Sequence, residues 1–210
     1  LLNDVGPTAL INEMHAAGFN SVWKKRKKLG LSMILGGCGV QLDEMAALYC
    51  AFANEGRYQP LQWTVNADKK KTVRADTIRL LSSGANYMLT RILSELHRPD
   101  LPNNYANAAH IPKIAWKTGT SYGRRDAWSI GYNSRYTIAV WIGNFSGLGA
   151  PEINGAGTAT PLLFQLFSAA DRNDKEEWQP APDALAYRLV CTETGRVPNA
   201  YCTNVVTDAY

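Results

Sequence analysis

Ile111-Pro112-Lys113-Ile114-Ala115-Trp116-Lys117-Thr118-Gly119-Thr120-Ser121 is the stretch on which the fold turns. A β-branched and aromatic run, Ile111 to Trp116, leads into a polar Lys-Thr-Gly-Thr-Ser, the pattern of a strand that ends at a working surface. Alone, Lys-Thr-Gly carries little weight, because three common residue types meet by chance in roughly one domain in twenty. The residues that follow decide. Tyr122-Gly123-Arg124-Arg125 has turn chemistry, Asp126 to Tyr132 is a second extended run, Asn133-Ser134-Arg135 a second turn, and Tyr136 to Phe145 a third run. Together they predict an antiparallel meander over residues 111–145. Its last strand, Thr137-Ile138-Ala139-Val140-Trp141-Ile142, is apolar without alternation, as a strand covered on both faces should be.

Two covered faces require helices, and four candidates stand in the chain. Pro7 to Ala17 opens with a proline suited to a first helical turn, carries Leu10, Ile11 and Met14 at helical spacing and stops at Gly18. Asp43-Glu44 places negative charge at the start of a second helix, with Met45, Leu48, Tyr49 and Phe52 as its buried stripe and Gly56 as its stop. A third is expected from about Ser83 to Leu96 with Tyr87, Met88, Ile92 and Leu96 facing inward. A fourth, Pro161 to Ala170, follows the Gly-rich turn Asn154 to Gly157. Strands flanked by helices give an α/β domain built on an antiparallel sheet.

Composition excludes more than it assigns. A net charge of +4 over 210 residues and a pI near 8.9 are mildly basic, so no nucleic-acid partner is expected. The runs Lys24 to Lys28 and Lys69-Lys70-Lys71 read as solvated loops. Gly36-Gly37-Cys38-Gly39 lacks the spacing of a nucleotide-binding loop, and His15, His97 and His110 are scattered, so neither a cofactor nor a metal is expected. No apolar run reaches the roughly 20 residues that span a bilayer. Of the four cysteines, Cys38 and Cys50 sit in apolar context as small core residues. Cys191 and Cys202 bracket the turn-rich Thr192 to Asn199. A disulfide there would contribute about 3 kcal/mol in an oxidising compartment, with a free or zinc-bound pair as the alternative.

Ala115 to Ser121, Asp126-Ala127-Trp128 and Tyr136 to Gly143 resemble the third, fourth and fifth core strands of the transpeptidase domain of class A penicillin-binding proteins, in the 1C branch. Leu35-Gly36-Gly37 followed by Leu42 to Gly56 and Tyr58 is similar to the helix upstream of that family's site, and Thr158 to Phe164 to its last helix. The resemblance covers roughly residues 1–172. It implies the penicillin-binding protein and serine β-lactamase-like α/β fold, with its N-terminal part not included. Residues 173–183 then read as a linker, and 184–210 as the start of a β-rich C-terminal module. That family uses three motifs: Ser-x-x-Lys with the nucleophile, a Ser-x-Asn element, and Lys-Thr-Gly. Only the third is expected here. Leu1 to Pro7 resembles the segment that follows the Ser-x-Asn element. Ser21-Val22-Trp23-Lys24 fits the nucleophile pattern by letter, but Lys24 to Lys28 surround it with solvated charge, whereas a Ser-x-x-Lys lysine must be desolvated to act as a base. Tyr105-Ala106-Asn107 imitates the Ser-x-Asn type of element in the wrong order.

What the resemblance implies is D,D-transpeptidase acyl transfer. An upstream serine attacks the penultimate D-Ala carbonyl of a peptidoglycan stem peptide ending in D-Ala-D-Ala, and β-lactams trap the acyl-enzyme. Lys117 and Thr120 would be catalytic, Lys117 by proton relay and charge, Thr120 by giving its backbone N–H to the oxyanion hole. Lys117, Thr118, Gly119, Thr120 and Ser121 would bind substrate along an open strand edge, Gly119 leaving room for its approach. Asp126 and Trp128 read as support for the strand pair. The family also implies an upstream glycosyltransferase domain and a membrane anchor, hence the periplasmic face of the bacterial inner membrane. By itself the chain is expected to be inactive. The alternatives are a β-lactamase-like hydrolase or β-lactam sensor, and a non-catalytic peptidoglycan-binding or scaffold domain.

Overall fold

The computed structural model describes residues 2–64, 77–95, 111–170, 180–183 and 185–209. At its centre is a three-stranded antiparallel sheet of β3 (Ala115–Thr120), β4 (Asp126–Tyr132) and β5 (Thr137–Gly143), in that order. The register pairs Lys117 with Ile130, Gly119 with Trp128, and Trp128 in turn with Trp141. The predicted meander is therefore present, with β4 matching its run and β3 and β5 slightly shorter than theirs.

Side-chain alternation along the strands sends alternate residues to opposite faces. Trp116, Ala127 and Val140 go to one face, where they pack with Ala159, Leu163, Phe164 and Phe167. Those four belong to a π-helical turn, Gly155–Ala159, and to the helix α6 (Thr160–Ala170) that continues it. Ala115, Ile130 and Tyr132 go to the other face, against Tyr49 and Leu93. Tyr49 belongs to α4 (Leu42–Ala53) and Leu93 to α5 (Ser83–Ser94). Each fully buried large residue, such as Leu163 or Phe167 at 0% exposure, stabilises by about 1.5–3 kcal/mol. The result is an α/β layered fold with an antiparallel sheet between helices.

The remaining helices form a second cluster. Helix α1 covers Leu2–Val5, α2 covers Pro7–Ala16 and α3 covers Asn20–Lys25, followed by 3-10 turns at Arg26–Lys28 and Leu31–Leu35. Ile11, Phe19, Val22 and Met33 close its core. The basic run Lys24 to Lys28 is exposed but helical, ending α3 and forming the first 3-10 turn, where a loop was expected. Two short ladders complete the structure, β1 (Arg57–Tyr58) with β2 (Ile78–Arg79), and β6 (Tyr187–Cys191) with β7 (Val205–Ala209). Arg91 of α5 lies 3.9 Å from Asp208 of β7, an exposed ion pair between the last hairpin and the helical layer.

One expectation needs correction. Ile92 is 63% exposed, whereas Leu93 is 8% exposed and packs under the sheet with Leu89. Asn86, also buried, donates to the Phe52 carbonyl at 2.9 Å. The inward stripe of α5 is thus 86, 89, 93, about one helical position from the expected one, and since residues 92 and 93 are both apolar, hydrophobicity could not choose between them. Leu96, Lys69 to Lys71, His97, His110, Tyr105 to Asn107, Leu1 and most of the expected linker lie outside the described residues. Among the described residues no helix is long and apolar enough to cross a membrane.

Candidate functional site

Among the described residues β3 is an edge strand, and ladder parity fixes which of its backbone groups face away from β4. Ser121 N–H donates to the Asp126 carbonyl at 2.9 Å, which makes Ser121 and Asp126 a hydrogen-bonded pair. In an antiparallel ladder such pairs alternate, so Gly119 and Lys117 also turn their backbone groups to β4. Thr118 and Thr120 therefore turn their N–H and C=O to the unpaired edge. The Lys117 ammonium is exposed and donates to the Thr118 carbonyl at 2.9 Å, so a cation stands on that edge.

The hydroxyls are distributed with equal economy. Thr120 Oγ accepts the Gly155 N–H at 3.0 Å, which leaves its own O–H to donate elsewhere. Ser121 Oγ accepts the Asp126 N–H at 2.8 Å and closes the β3–β4 turn. Asp126 Oδ1 accepts the Trp141 indole N–H at 2.9 Å, linking β4 to β5 across the sheet. A Cβ on Gly119 would meet the Trp128 Cβ at 3.6 Å, an ordinary contact, so packing does not demand glycine there.

The π-helical turn sets the position of Thr120 and was visible in the sequence only as a Gly-rich turn. Asn154 Oδ1 accepts the Gly157 N–H at 2.6 Å and starts it. Thr160, fully buried, donates its hydroxyl to the Gly155 carbonyl at 2.9 Å and shares a 3.0 Å bond with Ser129 of β4. Gly155 is pressed onto the sheet: a Cβ there would lie 2.7 Å from the Gly119 oxygen, 2.9 Å from the Trp128 oxygen and 3.0 Å from the Thr118 Cβ. Sequence spacing cannot reveal such a pairing, since Thr120 and Gly155 are 35 residues apart.

The other sequence candidates lie apart from this strand end. Ser21 donates its hydroxyl to Glu44 and its backbone N–H to the same carboxylate at 2.8 Å, joining α3 to the start of α4. Gln41 N–H adds a third bond to Glu44 at 3.0 Å. Burial pushes the Glu44 carboxyl up, but the bonds from Ser21, Gln41 and Asn20 outweigh it and hold it below the usual carboxylate value. Cys191 is buried and Cys202 half-buried, and both are thiols in this structure. The hydrogen bond with Cys202, followed by those with Thr194, brings the Cys191 thiol down to about 7. An apolar cavity of about 270 Å³, lined by Phe52, Tyr87, Thr90 and Tyr132 among others, lies at the Ala115–Tyr132 end of the sheet, away from Lys117–Thr120.

No family model matches the chain. It is 34% identical over 197 residues to penicillin-binding protein 1C of Escherichia coli K12, a match covering 93% of this chain and 24% of that protein. It is 27% identical over 174 residues to penicillin-binding protein 1A/1B of Bacillus subtilis, covering 74% of this chain and 19% of the relative. The crystal structure of penicillin-binding protein 1A from Haemophilus influenzae shares the fold, with a TM-score of 0.73 at 18% identity, over 100% of this chain and 37% of that one. The chain thus spans about a quarter or less of the length of these two curated relatives. With an antiparallel sheet between helices, a Lys-Thr-Gly-Thr strand on its open edge and a likeness that runs through nearly all of its residues, the chain belongs to the class A penicillin-binding proteins and carries part of their transpeptidase-like domain.

Proposed function

We propose that this chain supplies the Lys-Thr-Gly wall of a serine D,D-transpeptidase site that cross-links peptidoglycan stem peptides and is acylated by β-lactams. The observation that carries the reading is the β3 edge, where the outward backbone groups of Thr118 and Thr120 adjoin the Lys117 ammonium. A peptide ending in a carboxylate finds there a strand to pair with and a cation for its terminus. The free O–H of Thr120 would add a donor for that carboxylate, and its outward N–H would be one donor to the oxyanion. The role of Gly119 is to leave the edge open, in keeping with the absence of any packing demand for glycine there.

The nucleophile is assigned to a Ser-x-x-Lys helix outside this chain, because Ser21 is engaged by Glu44 and its neighbours Lys24 to Lys28 are solvated. The complete protein would work at the periplasmic face of the inner membrane, with a glycosyltransferase domain upstream of this one. Residues 1–172 belong to the transpeptidase domain, 173–183 to a linker, and the β6–β7 hairpin to a further β-rich module. In the oxidising periplasm Cys191 and Cys202, which already hydrogen-bond each other, would form a disulfide.

Acylation of the full-length protein by labelled penicillin tests the assignment. Lys117→Ala should slow it by about two decades, the scale of losing a key electrostatic group. Thr118→Val with Thr120→Val should impair substrates with a free carboxylate far more than their esters. Normal labelling of the lysine variant, or equal loss for acid and ester, would remove these residues from the site.

A further inference from the structure

Two hydroxyls lie in the layer between the sheet and α6, which is otherwise filled by apolar side chains such as Ala127, Val140, Ala159 and Leu163. Ser129 of β4 and Thr160, the first residue of α6, are both 0% exposed, and their oxygens stand 3.0 Å apart. A buried hydroxyl is costly unless it is hydrogen-bonded, so the proton of each has to be placed. A carbonyl can only accept, so the single hydroxyl proton of Thr160 goes to the Gly155 carbonyl at 2.9 Å. The Thr160 oxygen is then the acceptor in its pair with Ser129, and Ser129 is the donor. On its other side Gly155 gives its N–H to Thr120 Oγ at 3.0 Å. The bonds therefore run one way, from Ser129 to Thr160, from Thr160 to Gly155 and from Gly155 to Thr120. They also close a loop, because Ser129 is paired with Thr118 across the β3–β4 ladder.

The direction of this chain has a chemical consequence at its last member. An oxygen that accepts from Gly155 keeps its own proton for another partner, so Thr120 presents a donor. Were that peptide unit reversed, the Asn154 carbonyl would take the Thr120 proton and leave only lone pairs outward, which a carboxylate avoids. The Gly155 carbonyl also accepts the Thr160 backbone N–H, so the Thr160 hydroxyl is not needed merely to satisfy that oxygen. What the hydroxyl adds is a link from the turn back to the sheet through Ser129. We infer that Ser129 and Thr160 are positioning residues for carboxylate recognition: they hold Gly155 so that the Thr120 hydroxyl is polarised outward as a donor. Neither residue touches the substrate edge; both act through Gly155. The role depends on the transpeptidase reading above, in which Thr120 meets the terminal carboxylate of the substrate.

The test uses the full-length protein that contains this chain and reads the ratio of two second-order acylation constants, for benzylpenicillin and for its methyl ester. Thr160→Val keeps the shape of the side chain and removes its hydroxyl. It should lower the acid-to-ester ratio by roughly fivefold, the scale of one net hydrogen bond, with acylation by the ester itself within about twofold of the parent. Thr160→Ser restores the hydroxyl and should restore the ratio. Ser129→Ala removes only the first donor of the chain and should move the ratio the same way by a smaller factor, which keeps the test open if the valine variant does not fold. Leu163→Ala, one turn along α6 and fully buried, is the control for lost packing and should lower Tm while leaving the ratio in place. An unchanged ratio in Thr160→Val while Thr120→Val lowers it would overturn the positioning role and leave the transpeptidase reading standing. Equal losses for acid and ester, matched by Leu163→Ala, would likewise reduce Thr160 to packing. If Thr120→Val itself leaves the ratio unchanged, the reading of Thr120 as a carboxylate donor fails and takes the positioning role with it.

Discussion

Replacing Gly155 by alanine probes the joint that holds Thr120 in place. Its φ is not in the left-handed region, so the whole effect is steric: the new Cβ would fall 2.7 and 2.9 Å from two sheet carbonyl oxygens and 3.0 Å from the Thr118 Cβ. None of these atoms is the end of a flexible side chain, so the π-helical turn must lift off the sheet. Overpacking of this kind costs about 1–3 kcal/mol. Lifting the turn also strains the Gly155 N–H bond to Thr120 and the Thr160 bond to the Gly155 carbonyl, each worth about 1 kcal/mol. The total is about 3–5 kcal/mol, and for a domain of this size a kcal/mol moves the midpoint by about 2–4 °C, so Tm should fall on the order of 10 °C. Thermal unfolding of the chain followed by circular dichroism measures it, with penicillin acylation of the full-length variant as a second readout. Gly30→Ala, where a Cβ meets nothing within 4 Å, should be close to neutral. A Gly155→Ala midpoint within about 1 °C of the parent, with normal acylation, would refute the argument that this contact positions the strand.

Glu44→Gln should destabilise by about 2–3 kcal/mol at neutral pH, since the amide keeps one acceptor oxygen and turns an NH₂ toward the donors from Ser21 and Gln41. Because the folded carboxyl is held below its ordinary value, its contribution is complete above about pH 4.3 and is lost as pH falls through the lower folded value. Urea unfolding should therefore show the gap between parent and variant closing in acid, and a gap independent of pH would refute the assignment. For the thiols, a peptide map of protein recovered from an oxidising compartment should link Cys191 to Cys202; alkylation of both without prior reduction would remove the disulfide.

How much of this was legible in the sequence depends on the range of the interaction. The meander was readable because each strand and turn is specified by its own neighbours, and the unalternating Thr137 to Ile142 announced helices on both faces. Lys117 to Ser121 stood out by type and order. The inward face of α5 was misplaced because Ile92 and Leu93 are equally apolar and only the packed sheet distinguishes them. Helix α3 was missed because its last turn is a lysine run with no apolar period. The Ser21–Glu44 link spans 23 residues and the Thr120–Gly155 bond spans 35, distances over which local pattern carries no signal. Those two bonds are what give Ser21 a structural partner and Thr120 a fixed hydroxyl.

On the proposed function, this chain provides the Lys-Thr-Gly wall of a penicillin-reactive site whose nucleophile lies elsewhere in the polypeptide. Intact-mass spectrometry of the full-length protein after incubation with benzylpenicillin, followed by peptide mapping of the adduct, tests it most directly. The expected result is one penicilloyl group per molecule on a serine outside this chain, lost in the denatured control and greatly slowed by Lys117→Ala. An adduct on Ser21, or acylation indifferent to Lys117, would contradict the claim.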